Sequence, residues 1–455
     1  MYIKRSENIN ISISNDSNFV VTNVKSGQLL ELNETGTYFL SLLDDDAKDI
    51  DEIVTQLSKE YTDIDPKELR NDFVAYMSEL AQQNFVEIGN DREQLDLKSL
   101  RNLHIDITMQ CNERCVHCYI PNYIKNKVTM MAFEDFCHIV DEFILLGGEE
   151  VEISGGEPML HPDFMSMVEY CSKRDLTVQI LSNLTLLTDA MMEQLKSYNI
   201  GFIQTSVYSL DSVVHDAITK SRHSLSKTIS AIEKLQNEKF KVAIACPIMA
   251  QNKDHLLPLY EYCEKNNIIL RSNACIVPQM DGNADFVEDF RLCLKQKETL
   301  FGGLLQKMPS YLRENILVHS SKSKDYKNYP DWFSRQPVCD AAVDSCSLSP
   351  DGDVFACPEW TAFKLGNIHE QSLKDIWMNS ENIKRIRHSN KRKNFSKCFS
   401  CEAMDYCKLC LLINDSECGD ITTNSSLACD DAFLNKKLIG EYNEKGLEAS
   451  SPKYN

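Results

Sequence analysis

The sequence predicts an α/β protein, a partial (β/α)6 barrel set between a small winged-helix-like unit and a cysteine-dense C-terminal region. Three observations predict it. Six strand-like runs alternate with amphipathic helices from Leu103 to about Ile276, the pattern of a parallel sheet built from βα units. Short strands bracket three helix-like segments ahead of them, and nine cysteines fall between Cys339 and Cys429 behind them.

The elements follow in order. NFVVTNVKSGQLLELN reads as two strands around a turn at Ser26-Gly27, because apolar residues alternate on either side of a turn pair. Asn33 can cap the helix ETGTYFLSLL; further helices are expected over Ile50–Tyr61 and Pro66–Gln83, the latter with proline in its first turn. FVEI at Phe85–Ile88 closes this unit, residues 1–90, as a strand. The barrel, residues 100–280, takes its strands from LHIDIT, EVEIS, TVQILS, GFIQTS, KVAIAC and IILRSN, with helices such as FEDFCHIVDEFILLGG and SLSKTISAIEKLQ between them. Chemistry in such a fold sits at the C-terminal ends of the strands. Residues 281–335 read as a mostly helical connector, 336–435 as the cysteine-rich domain, and 436–455 as a polar tail.

Composition narrows the setting. A chain of 455 residues with 48 basic and 68 acidic side chains, net −20, has room for several domains and is a poor partner for a polyanion. No apolar run approaches the ~20 residues of a membrane span, and the N-terminus MYIKRSENIN lacks a signal peptide's apolar core. A cytoplasmic protein without nucleic-acid or membrane partners is expected. Of 18 cysteines, the isolated Cys137, Cys171, Cys263 and Cys293 read as ordinary buried residues. In a reducing compartment the clustered ones are better metal ligands than disulfides.

The densest cluster is CNERCVHCY, Cys111 to Tyr119, directly after the first barrel strand. Three thiols are one short of a closed tetrahedral zinc site, and His117 points the wrong way to complete it. Cys111-x3-Cys115-x2-Cys118 followed by Tyr119 resembles the cluster loop of radical S-adenosylmethionine enzymes. The resemblance implies that Cys111, Cys115 and Cys118 hold three irons of a [4Fe–4S] cluster whose fourth iron chelates S-adenosylmethionine. It implies likewise that Gly155, Gly156, Glu157 and Pro158, in ISGGEP after the second strand, form the GGE element, with Glu157 pairing the ligand's ammonium group. Tyr119, Ser182, Asn183 and Ser206 would complete the cofactor site. Two departures stand out: Ser206-Val207-Tyr208-Ser209 replaces the usual Ser-Leu-Asp-Gly, and Thr219 occupies the place of an arginine. Arg222 becomes the candidate for the ligand's carboxylate.

Cys339-x12-Gly352-x4-Cys357, then Cys398-x2-Cys401-x5-Cys407-x2-Cys410 and Cys429, resemble the SPASM extension of the same enzymes, with Asp351-Gly352 as a hairpin turn. By resemblance Cys339, Cys346, Cys357 and Cys410 hold one auxiliary [4Fe–4S] cluster and Cys398, Cys401, Cys407 and Cys429 a second, giving three clusters in all. A zinc ion on Cys398, Cys401, Cys407 and Cys410 is the structural alternative.

A winged-helix unit suggests DNA, but Met1 to Leu95 carries 8 Lys and Arg against 19 Asp and Glu, the wrong sign for phosphate. GQLLELNETGTYFLSLL resembles the RiPP recognition element, which takes a precursor's leader as an added strand. Together these resemblances imply a maturase that installs an oxidative cross-link, first of all a cysteine thioether as in sactipeptide and ranthipeptide enzymes, with a flavodoxin- or ferredoxin-type electron donor. Carbon–carbon or carbon–oxygen cross-linking, a sulfatase-maturing-type oxidation, and an iron- or redox-sensing regulator remain as alternatives.

Overall fold

The computed structural model describes residues 1–13, 19–92, 95, 98–285, 287–317 and 322–444, so the expected tail beyond 444 lies outside the described residues. The chain forms two compact units: 1–98 with 321–337 and 391–399, and 99–320 with 338–390 and 400–455.

Among the described residues the first unit has six strands: β1 (Tyr2–Arg5), β2 (Ile9–Ile13), β3 (Phe19–Asn23), β4 (Leu29–Glu31), β5 (Lys48–Asp49) and β6 (Val86–Gly89). They form two antiparallel three-stranded sheets, β5-β1-β6 and β2-β3-β4. Helices α1 (Glu34–Ser41), α2 (Ile50–Leu57) and α3 (Pro66–Gln82) start at Asn33, Asp49 and Asp65, whose side chains accept from the first-turn N–H groups of Gly36, Asp51 and Lys67. α2 buries Ile50, Ile53, Val54 and Leu57 against Phe73, Met77 and Phe85, each worth about 1.5–3 kcal/mol of transfer free energy. Strands β1, β2 and β5 are additions to the expected set. β1 carries Lys4, 4% exposed, which pairs with Glu87 of β6 at 3.4 Å. A strand with a buried cation does not show an apolar alternation. The far edge of β2 is covered by the helix Pro330–Arg335: Ile11 N donates to Asp331 Oδ2 at 3.3 Å, and Arg335 pairs with Asp45 at 3.0 Å. The last part of the expected connector therefore belongs to this unit.

The second unit is built on a nine-stranded sheet. β7 (Asn102–Thr108), β8 (Glu150–Gly155), β9 (Thr177–Leu181), β10 (Ile200–Ser206), β11 (Val242–Pro247) and β12 (Ile269–Asn273) lie side by side, all parallel, in chain order. That is the predicted run of six βα units. The sheet continues beyond it: β13 (Ser345–Leu348) pairs parallel with β7, and β14 (Asp353–Cys357) and β15 (Trp360–Asn367) follow antiparallel. Gly352, at φ +81°, makes the expected turn between β13 and β14.

Period-two alternation explains the polar hollow of this sheet. In LHIDIT, Leu103, Ile105 and Ile107 are buried in the apolar core, whereas His104 lines a cavity together with Glu152, Ser154 and Gln204 of neighbouring strands. Two expectations need correction. Residues 436–444, assigned to a polar tail, continue the helix Ser426–Glu444, because Leu438, Ile439 and Tyr442 repeat at helical spacing and are buried. Cys293, assigned to the core, is exposed and begins the helix Leu294–Leu304 as one half of a capping box with Gln296.

Candidate active site

Side chains from the C-terminal ends of β7 through β12 surround a cavity of about 730 Å³. Cys111, Cys115, Cys118, Tyr119, Gly155, Gly156, Ser182, Asn183 and Ser206 line it; Glu157 and Pro158 do not.

The cysteine loop is held by its backbone. Arg114 N and Val116 N donate to Thr219 O and Ile218 O at 2.9 and 3.0 Å. On the opposite side Gly156 N donates to Thr108 O at 2.8 Å and Glu157 N to Gln110 O at 2.7 Å. These contacts require glycine. A Cβ on Gly155 would stand 2.1 Å from Thr108 O, and one on Gly156 2.2 Å from Gln110 O. The close approach the two glycines permit is thus to the backbone that leads into Cys111.

Glu157 is fully buried and saturated within the protein. It accepts from Ser182 Oγ at 2.7 Å, Asn183 N at 2.8 Å and Met159 N at 3.0 Å, and burial raises its pKa to about 7 despite those bonds. The structure places it under the Ser182-Asn183 turn, and Asn183 Nδ2 in turn donates to Asn112 Oδ1 at 2.7 Å. Its observed bonds are therefore to the loops that frame the cavity.

A second buried chain of bonds, absent from the sequence reading, supports the loop from behind. Tyr208 N donates to His215 Nδ1 at 3.3 Å, so a neutral His215 carries its proton on Nε2, 3.4 Å from Ser224 Oγ. Burial holds the His215 pKa down near 4, consistent with the neutral form. Ser224 Oγ donates to Glu113, whose other oxygen accepts from Cys115 Sγ at 3.7 Å. His117, expected to point away, lines the cavity, with its ring 4.9 Å from that of Tyr208. Arg222 is exposed and not part of the lining, and Thr219 is buried with its carbonyl engaged by Arg114.

At the cavity floor His104 bridges two carboxylates, Nδ1 to Glu152 Oε2 at 2.5 Å and Nε2 to Asp106 Oδ1 at 3.0 Å. Burial alone would lower its pKa; the two carboxylates outweigh that and carry it up to about 10. Further lining comes from the C-terminal region: Pro358, Glu359, Tyr406, Lys408 and Cys410, with Cys275 from the segment after β12. Burial raises the pKa of Glu359, and that of Cys275 to about 11.

The structure treats the C-terminal cysteines unequally. Cys339 and Cys410 both act electrostatically on Cys357. Cys346 lies in β13 opposite Leu103, is 3% exposed, and has Arg387 as its charged neighbour. Cys398 falls in the first unit and Cys401, Cys407 and Cys429 in the second.

Among the described residues, no three His, Cys, Asp or Glu side chains form a site for a single metal ion. The donor set of the loop nevertheless fits a polynuclear thiolate-bound group: three thiols face one cavity, and Thr205 Oγ1 and His117 Nδ1, also in its lining, are buried without a hydrogen-bond partner.

Comparison with known proteins agrees with this geometry. Residues 105–263 match the Radical SAM superfamily, 339–402 an iron-sulfur cluster-binding domain (SPASM), and 18–86 coenzyme PQQ synthesis protein D. The chain thus carries a radical SAM domain together with SPASM and PqqD-type domains. It is 24% identical over 404 residues to the antilisterial bacteriocin subtilosin biosynthesis protein AlbA of Bacillus subtilis, covering 85% of each chain. It is 25% identical to the AdoMet-dependent heme synthase of Methanosarcina barkeri over 67% of this chain and 89% of that one. Its fold matches Streptococcus suis SuiB bound to precursor peptide SuiA, with a TM-score of 0.56 at 18% identity, covering 94% of this chain and 99% of SuiB.

Proposed function

We propose that this protein is a maturase of a ribosomally made precursor peptide and that it closes an oxidative cross-link, a thioether from a cysteine sulfur, in that peptide. The observation that carries the reading is that one cavity is lined both by Cys111, Cys115 and Cys118 and by Glu359, Cys275 and Cys410. When bound, S-adenosylmethionine and clusters on the loop cysteines and on Cys339, Cys357 and Cys410 would supply a hydrogen-abstracting radical and an outlet for the electron released as a bond closes. A flavodoxin- or ferredoxin-type protein would deliver the initiating electron.

The chain's own residues supply placement. Gly155 and Gly156 offer backbone at the cavity wall, while Ser182, Asn183 and Ser206 offer polar groups. Glu157 and the Tyr208–His215–Ser224–Glu113 chain hold the loops that carry them. For the peptide, the open edge is β4. It is the outer strand of β2-β3-β4, with Leu29 63% exposed, and Gln28 beside it bonds Gln83 beyond α3 at 2.8 Å. With β2 covered, β4 is the edge to which a leader could add as a strand. The subtilosin and SuiB relatives support the peptide reading.

The test is mass spectrometry of a precursor peptide co-produced with the full-length enzyme. The product should be lighter by two hydrogens per cross-link, and its donor cysteine should resist alkylation. A lighter product whose cysteines all still alkylate would favour a carbon–carbon or carbon–oxygen bond, and an unchanged mass would defeat the proposal.

A further inference from the structure

One cation in the cavity lacks an opposite charge of the ordinary kind. Lys125 ends the short helix Asn122–Lys125, fixed by the N–H groups of Ile124 and Lys125, which donate to Pro121 O at 3.0 and 3.1 Å. It lines the cavity and is 3% exposed. The other enclosed cations there are matched: Lys297 reaches both oxygens of Asp431 at 2.8 Å, and His104 lies between Asp106 and Glu152. Lys125 forms no ion pair with a carboxylate among the described residues. The side chains that face its ammonium are the thiols of Cys118, its hydrogen-bond partner, and of Cys115 and Cys111. Glu113, the carboxylate in electrostatic reach, is engaged with Ser224 and Cys115.

Burying an ammonium without a carboxylate is unfavourable to the fold, because its lost hydration is not repaid by a full opposite charge. An apolar residue of similar length would fit the same position without that cost. The charge therefore has its use in the loaded protein, where three thiolates bring negative charge to its side. Opposite charge at a buried site is weakly screened, and net charge around an iron–sulfur centre is one of the levers on its potential.

We propose that Lys125 is the resident counter-charge of the cluster bound by Cys111, Cys115 and Cys118, and that it eases the addition of one electron to that cluster. It is a positioning residue, acting through the electron affinity of the group the thiols hold. The proposal rests on reading those thiols as cluster ligands.

The experiment uses full-length protein reconstituted anaerobically with iron and sulfide: wild type, K125M, K125Q and K125R. Each is titrated with dithionite and redox mediators, and the cluster is followed by the EPR signal that S-adenosylmethionine perturbs. K125M should keep its iron content and shift the midpoint to more negative potential, and K125R should restore most of the shift. The metal-free K125M protein should melt no lower than the wild type. If K125M does not load, K125Q takes its place. An unchanged midpoint in a fully loaded K125M or K125Q overturns the proposal, including the case where only affinity for S-adenosylmethionine falls and the lysine is a carboxylate ligand. A wild-type protein that takes up no iron–sulfur cluster refutes the ligand reading as well, and iron analysis separates the two failures.

Discussion

Cys111, Cys115 and Cys118 hang from one loop at the end of β7, whereas Cys339, Cys346 and Cys357 are spread over β13, β14 and the approach to them. In the loop, spacing alone decides which way the thiols can face, because three close positions share one turn. In the strand pair, register decides. β13 sets Cys346 opposite Leu103 and Ser347 opposite His104, so Cys346 shares the apolar face of Leu103, while His104 belongs to the cavity. A slip of one residue would exchange the faces. Motifs carried on a single turn can be read as geometry; motifs carried across strands become geometry only when the pairing is known.

The largest test of this contrast is alanine at Cys111, Cys115 or Cys118. Each should abolish 5′-deoxyadenosine formation and remove about four irons per chain, by product assay and iron analysis; surviving turnover in any of them would break the local reading. Next comes the floor of the strand that carries the loop. H104Q should cost about 3–5 kcal/mol, since it leaves Asp106 and Glu152 without their cation. The pH dependence has a defined sign. The His104 pKa is raised from 6.5 to about 10 in the folded protein, so its contribution is complete below about pH 6.5 and is lost as pH climbs towards 10. Denaturant melts of both proteins should converge over that interval, and a gap that widens with pH would contradict the assignment.

A smaller effect is expected of G156A, about 1–3 kcal/mol with reduced cluster loading, because its Cβ meets carbonyl oxygens of the backbone rather than a yielding side chain. G303A, with nothing within 4 Å, should be neutral or stabilise by about 0.5–1 kcal/mol. A last pair of substitutions tests register within the C-terminal strands. C346A should leave iron content unchanged and cost about 1–2 kcal/mol as a core truncation, whereas C357A should lose about four irons. Equal iron loss from both would restore Cys346 to the ligand set.

The six parallel strands were legible because their apolar alternation and intervening helices are local patterns. The two additional strands before residue 14 were not equally so. Ile9, Ile11 and Ile13 alternate in β2 and could have been read, but β1 hides behind Lys4, whose burial depends on Glu87 far along the chain. In the site, the cysteines and glycines declared themselves by spacing. Glu113, Lys125, Tyr208, His215 and Ser224 did not, since each is a single polar residue whose significance comes from burial and partners. A glutamate and an arginine enclosed between clustered cysteines, as Glu113 and Arg114 are, could have drawn attention to the loop's own hydrogen bonds. Glu157 was found by its motif, but the saturation of its oxygens by Ser182, Asn183 and Met159 needed coordinates.

The pairing of β13 with β7 reaches beyond cysteine placement. Ser345–Leu348 occupies the hydrogen-bonding edge of Asn102–Ile105, which is the first strand of the barrel and would otherwise end the sheet. A chain cut before β13 would present that edge bare, next to buried Ile105 and Ile107, as a template for the same strand of another copy. The C-terminal region thus also serves as a guard rail against self-association, and a shortened chain should be recovered as aggregates rather than as a smaller working barrel.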